Sequence, residues 1–255
     1  MLNLQKGYSH ETFKYGNTHV FKYTEDPKRF GFVERQYEWL KKAQDIIPQH
    51  AFTYLKKVND GKVCGYIMER ITPQELQVSD IGSIFKAIWE LTHTEVTVPK
   101  NMHELQTYQK YVTEVVSKNI DDFKFIDVYL FDQEFYKYYE LAKIQRSYCH
   151  GDMTIDNILK AENGQVIFID PNYRLDLWQS HYLDVAKLYQ ETCFNFPELY
   201  TEIRDYASKN RYDLQFLDLL HITHYIRMIP YVKTRPEVYA EKLEKLQILY
   251  DRYFS

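Results

Sequence analysis

The chain has 255 residues, 45% of them apolar and 27% charged, with a formal net charge of −4. That length buries a sizeable core, as one large domain or two lobes, and the composition is globular. It gives no electrostatic case for nucleic acid or an anionic membrane surface, and no run approaches the ~18 apolar residues of a membrane span. Cys64, Cys149 and Cys193 are scattered, without the paired spacing of a zinc site or a disulfide framework. The opening MLNLQKGYSHETFKYG lacks the basic-then-apolar layout of a secretory signal, so the cytoplasm is expected. Its 24 tyrosines accompany 22 Lys against 10 Arg, which reads as coding bias before it reads as a binding surface. Nothing bears on oligomeric state.

Residues 1–71 carry strand signals around one helix. Thr12–Tyr15 and His19–Tyr23 flank Gly16-Asn17 and predict a hairpin, with Lys22 near the end of its second strand. A charged helix follows from about Lys28 to Gln44, with Phe32, Tyr37, Trp39 and Leu40 as its apolar positions. Glu34 and Glu38 lie four apart and share a face of it. Ala51–Val58 and Lys62–Met68 read as two further strands around Asn59-Asp60-Gly61. Thr72-Pro73 marks the boundary between residues 1–71 and 72–255.

Beyond it the pattern turns helical. Asp80 caps a predicted helix from Ile81 to about His93, with Ile84, Ile88 and Leu91 at helical spacing. His93 reads as a core or cap residue. Glu104–Ser117 and Asp132–Ile144 are two amphipathic helices. After Asn172, helices are expected from Tyr182, over Pro197–Ala207 and Asp213–Ile229, and over Pro236–Tyr253.

Between these helical regions lies SYCHGDMTIDNILKAENGQVIFIDPN, residues Ser147–Asn172. His150-Gly151-Asp152 is followed, five residues after the aspartate, by Asn157. The apolar run Val166–Ile169 then delivers Asp170, after a turn at Glu162–Gln165 in which Asn163-Gly164 readily takes positive φ. Phosphoryl transfer from a nucleotide needs such a set. One carboxylate accepts the proton of the attacking hydroxyl, and an Asn and a second Asp hold magnesium against the phosphates. Asp152 fits the base, and Asn157 and Asp170 fit the metal ligands. With average residue usage, His-Gly-Asp-x-x-x-x-Asn arises by chance in about one chain in a thousand of this length.

The Asp-to-Asn spacing is that of the protein-kinase catalytic loop, where Arg stands in the place of Gly151. His-Gly-Asp in that slot, with no Asp-Phe-Gly after the hairpin, resembles the aminoglycoside phosphotransferase and choline kinase families. The resemblance implies an α+β, bilobal protein-kinase-like fold: a small N-terminal antiparallel sheet with one helix, and a larger, mostly helical C-terminal lobe. It implies ATP or GTP and Mg2+ as cofactors, with the nucleotide bound in the N-terminal lobe. Lys22 takes the place of the lysine that pairs with the nucleotide's phosphates, with Glu34 preferred over Glu38 as its partner. Backbone groups of Glu69 and Ile71, with Met68 beside them, would meet the adenine. Gly7 and Ser9 would cover the phosphates, although that stretch has a single glycine where a Gly-rich loop is the pattern. His150 and Asp184 would support the catalytic loop without taking part in the chemistry.

The expected partner is a small-molecule hydroxyl acceptor, with no nucleic acid and no membrane insertion. Asn172, Arg174, Trp178 and His181, just beyond the metal site, and Arg227 and Tyr231 would line its pocket. Choline and aminoglycosides are cations and call for carboxylates and aromatic faces. Arg and Lys beside Tyr and Trp instead suit a sugar or sugar-like polyol, as in surface-polysaccharide precursor synthesis. A choline- or aminoglycoside-type kinase and a silent nucleotide-binding pseudokinase are the competing readings. A protein kinase is disfavoured by Gly151 and by the lack of an Ala-Pro-Glu segment after Asp170.

Overall fold

The computed structural model describes residues 3–6, 12–92, 105–144, 146–172 and 177–255. Gly7, Ser9, His93 and Arg174 lie outside them. The chain forms two compact units, Met1–Leu91 with His150–Tyr173, and Thr92–Cys149 with Arg174–Ser255.

The first unit is built on an antiparallel sheet of β1 (Asn3–Lys6), β2 (Thr12–Tyr15), β3 (His19–Thr24), β4 (Leu55–Asn59) and β5 (Cys64–Glu69), in the order β1-β2-β3-β5-β4. The expected hairpin forms, with Tyr15 opposite Val20. The added strand β1 pairs with β2 and was not expected, because its four residues carry no turn or alternation signal of their own. The expected strand from Ala51 begins only at Leu55, after a 3-10 turn over Pro48–His50. In β5, Gly65 lies so close to β3 that a Cβ would collide with the Lys22 carbonyl oxygen and sit 2.7 Å from Tyr23 Cβ. That glycine lets the strand carrying Lys22 pack flat against its neighbour.

Helix α1 (Phe30–Ile46) follows a 3-10 turn at Pro27–Arg29, whose N-cap Asp26 accepts the Lys28 amide. Its inward stripe is Val33, Gln36, Trp39, Leu40 and Ala43, spaced at three or four residues. Helix α2 (Ile81–Thr92) begins after a 3-10 turn in which Asp80 accepts the Gln77 amide at 2.7 Å. The catalytic stretch adds the hairpin of β6 (Ile158–Lys160) and β7 (Val166–Phe168) to the same unit. It is tied in by Gln74 N–H to Lys160 O at 2.8 Å and by the Lys160–Asp80 ion pair at 2.9 Å.

The second unit is helical: α3 (Leu105–Lys118), α4 (Val128–Tyr136), α5 (Tyr139–Ile144), α6 (His181–Thr192), α7 (Pro197–Lys209), α8 (Leu214–Val232) and α9 (Pro236–Phe254). The single helix expected over Asp132–Ile144 is two. The first starts earlier, capped by Asp127 on the Leu130 amide, and the chain turns at Lys137–Tyr138 before α5. Helix α8 is buried around most of its circumference, with Phe216, Leu217, Leu220 and Ile226 in the core. No helix of the described residues is long and apolar enough to cross a membrane.

Candidate active site

His150 is fully buried, and both ring nitrogens are used within the first unit. Nε2 lies 2.7 Å from the Ile169 carbonyl oxygen, and Nδ1 accepts the Asp152 amide at 3.3 Å. A carbonyl only accepts, so Nε2 carries the proton and the ring is neutral. Burial, the largest influence, pushes its pKa down, which agrees with that state. The edges of Trp39 and Phe168 enclose the imidazole, with the Trp39 ring centre 5.0 Å away. One side chain thus holds the backbone just before Asp170 to the amide of Asp152.

The loop between them is closed locally. Gly151 has φ of 81°, the left-handed region that a glycine enters freely. Thr154 N–H donates to Asp152 O at 2.8 Å, and Asn157 Nδ2 donates to the same oxygen at 2.8 Å. The amide of Asn157 is thereby oriented so that Oδ1 is left as an acceptor. Ile169 N–H donates to Asn157 O at 3.0 Å, binding the loop to the segment between β7 and Asp170. Asp170 itself sits at φ 54°, a conformation that Asp tolerates better than most residues.

Lys22, only 1% exposed, places Nζ 2.7 Å from Asp170 Oδ1 and 5.2 Å from the centre of the Phe13 ring. Lys22, Asp152, Asn157 and Asp170 are therefore brought together in one unit. The donor set suits a hard divalent cation: Asp170 keeps a second carboxylate oxygen and Asn157 its Oδ1. Magnesium needs few protein oxygens because it retains several waters.

Glu34 does not meet Lys22. It pairs with Lys57 at 3.2 Å and accepts from Asn59, and Glu38 lies 3.6 Å from the same Lys57. Both sit about half a turn round the helix from its buried stripe. Gln36 occupies the stripe instead: Nε2 donates to Pro171 O at 3.2 Å, and Oε1 accepts from Tyr66 at 3.4 Å. Tyr66 stands opposite Lys22 in the ladder. Sequence reasoning missed Gln36, although its spacing from Val33 and Leu40 was the signal that would have found it.

Met68 is buried beside Val20 and Leu55 in the sheet. The Glu69 carboxylate accepts the Thr53 amide at 2.7 Å, and Arg70 N–H donates to Thr18 O at 2.9 Å. Ile71, next in the chain, is partly exposed. Asn172 donates its backbone N–H to His150 O at 2.9 Å, which fixes the chain just past Asp170.

Two residues expected in an acceptor pocket are core instead. Trp178 is 0% exposed, gives its indole N–H to Ala142 O at 3.3 Å and packs against Tyr108 and Phe216. His181 is buried between Tyr182 and Tyr212, with Nδ1 3.0 Å from Ser147 Oγ. Asp184 is buried in the first turn of α6. Tyr231 is 76% exposed. Arg227 lies with its guanidinium carbon 5.6 Å from each of the Tyr108 and Tyr111 rings, a clamp that sequence reasoning did not foresee.

No family model matches the chain, and no curated protein matches its sequence. Solved structures match along nearly its whole length. APH(2")-IIia, in a complex with GDP and kanamycin, is 15% identical, with a TM-score of 0.65, covering 99% of this chain and 93% of that one. Choline kinase LicA from Streptococcus pneumoniae is 12% identical, with a TM-score of 0.61, covering 99% and 94%. The aminoglycoside phosphotransferase APH(3'')-Id from Streptomyces rimosus, solved with ADP and streptomycin, is 14% identical, with a TM-score of 0.58, covering 86% and 92%. The likeness establishes the fold: the chain has the α+β protein-kinase-like fold of these small-molecule kinases.

Proposed function

We propose that the protein is a phosphotransferase that moves the terminal phosphoryl group of ATP or GTP to a hydroxyl of a small molecule. The observation that carries this reading is the bridge made by His150, which holds the amide of Asp152 and the carbonyl preceding Asp170 on one imidazole. In this reading Asp152 accepts the proton of the attacking hydroxyl. Asn157 Oδ1 and the free oxygen of Asp170 hold magnesium, which supplies positive charge against the phosphate oxygens. Lys22, poised on Asp170, exchanges that carboxylate for the nucleotide's phosphates. Glu69 and Ile71 offer backbone groups to the base.

The acceptor is a sugar or sugar-like polyol. Arg227 between two tyrosine rings supports this choice, because a cationic acceptor would be repelled there, whereas ring faces and guanidinium donors suit hydroxyl-rich compounds. The test is ADP release over a panel of sugars, sugar derivatives, choline and aminoglycosides, with wild type and Asp152→Asn. Turnover with a sugar-like compound that Asp152→Asn lacks is the expected result. Turnover with choline or aminoglycosides alone overturns the acceptor class, and turnover undiminished in Asp152→Asn overturns the mechanism.

A further inference from the structure

Arg227 is partly buried in the helical unit and has no carboxylate within 4.0 Å among the described residues. Its Nη1 donates to the Tyr108 hydroxyl at 3.3 Å, and its Nε is enclosed and without a partner. The hydrogen bonds beyond it can be followed to their end. Thr223 donates to Leu220 O at 2.6 Å, so its oxygen accepts from Tyr108, 2.7 Å away, and Tyr108 accepts from Arg227. The chain of bonds ends on a neutral carbonyl, with no carboxylate along it among the described residues.

Three other cations among the described residues are each met by a carboxylate. Lys22 meets Asp170 at 2.7 Å, Lys160 meets Asp80 at 2.9 Å, and Arg204 meets Asp218 at 2.5 Å. A buried charge without a counter-charge is costly and persists where a ligand supplies the opposite sign. The side chain is also held in place, by the faces of Tyr108 and Tyr111 on the cation and by Tyr108 packed edgewise on Trp178. The Tyr108 and Tyr111 hydroxyls engage the guanidinium, which leaves Nε as the donor without a partner for an anion's oxygen.

We infer that Arg227, clamped by Tyr108 and Tyr111, is a binding site for an oxyanion, a carboxylate or phosphate carried by a small polyhydroxy compound. That this compound is the acceptor rests on the phosphotransfer reading above; the anion site does not. The acceptor is then a sugar acid or sugar phosphate rather than a neutral sugar.

The test is isothermal titration of the full chain with hexoses, pentoses and polyols, each in neutral, phosphorylated and carboxylated form. ADP release is measured in parallel, and Arg227→Met, Arg227→Lys and Asp152→Asn are compared with wild type. At least one charged form should bind ten-fold or more tighter than its neutral parent, and the phosphate and carboxylate arms identify which anion is preferred. Arg227→Met should lose that advantage, with a smaller effect on the neutral parent. Arg227→Lys should keep part of it, since it retains the charge but not the planar guanidinium. Asp152→Asn should bind the anion like wild type without releasing ADP.

Equal affinity for neutral and charged forms in wild type overturns the inference, and that comparison stands even if Arg227→Met does not fold. An Arg227→Met protein with undiminished oxyanion affinity overturns it as well. Turnover of a neutral or cationic acceptor, with no charged form bound more tightly than its neutral parent in wild type, overturns it and leaves phosphotransfer standing. Oxyanion binding that depends on Arg227, with no ADP release from any compound, upholds the site and overturns the phosphotransfer reading.

Discussion

Lys22 Nζ and Asp170 Oδ1 lie 2.7 Å apart although 148 positions separate them in the chain. The lysine is almost completely buried, and α1 sends it no carboxylate, since Glu34 and Glu38 are both engaged with Lys57. Asp170→Ala should therefore leave an uncompensated buried ammonium and cost about 1–3 kcal/mol, reduced from the fully buried case because Asp170 is partly exposed. The double variant Lys22→Met/Asp170→Ala should recover part of that loss. Urea denaturation of the two single variants and the double variant checks this; simple additivity would refute the coupling.

Asp152→Asn should lower turnover by about a hundred- to ten-thousand-fold, the usual worth of a general base. Nucleotide affinity should change little, because the amide keeps the shape of the loop that His150 and Asn157 hold through the Asp152 backbone. Steady-state kinetics with titrated nucleotide separates the two effects, and a variant with more than half of wild-type turnover contradicts the role.

Magnesium dependence should rank the two oxygen donors. Asp170→Ala removes a full charge from the metal and should abolish productive nucleotide binding, whereas Asn157→Ala removes one neutral oxygen and should raise the magnesium requirement less. An activity assay titrated with magnesium gives the order. Wild-type saturation in both variants would remove both residues from the metal site.

Gln36→Ala should matter more than Glu34→Gln. The first removes the bonds to Pro171 O and the Tyr66 hydroxyl inside the unit and should cost about 1–3 kcal/mol, with a raised KM for nucleotide as the segment after Asp170 loosens. The second loosens a surface pair with Lys57 and should stay within about 0.5 kcal/mol with an unchanged KM. The opposite ranking would return the role to Glu34.

Stability should fall on mild acidification. Burial pushes the pKa values of His50, His150, His221 and His224 down, His221 to about 3, helped there by the charges of Arg204, Arg252 and Lys187. In the unfolded chain these rings take up protons near pH 6.5, while the folded protein keeps them neutral. Their contribution is thus complete above about pH 6.5 and is lost as the pH falls towards the folded values, for His221 by up to about 1.4 kcal/mol per pH unit. His221→Gln should reduce the slope of unfolding free energy against pH between 6 and 5 by about that amount. An unchanged slope would mean that His221 is protonated in the fold.

The candidate site was legible where it is local. Asp152, Asn157 and Asp170 lie within 19 residues of one another, and the loop and hairpin that join them close through their own turn residues and short-range bonds. The helices of the second unit were readable because burial of one face imposes a 3.6-residue period on the sequence itself. The break at Lys137–Tyr138 escaped because apolar residues continue across it.

Only packing decided which partner each side chain meets. Glu34, Gln36 and Glu38 stand within little more than one turn of α1, and which of them faces inward follows from how Val33, Leu40 and Ala43 bury against the sheet. Trp178 and His181 follow Asp170 closely in the chain, yet both are drawn into the helical core, because a large aromatic surface gains more from burial than from solvent. Arg227 and Tyr108 are 119 positions apart, and no period or motif relates them. The periodicity of a chain reports that a face is buried; the identity of what it is buried against exists only once distant segments have met.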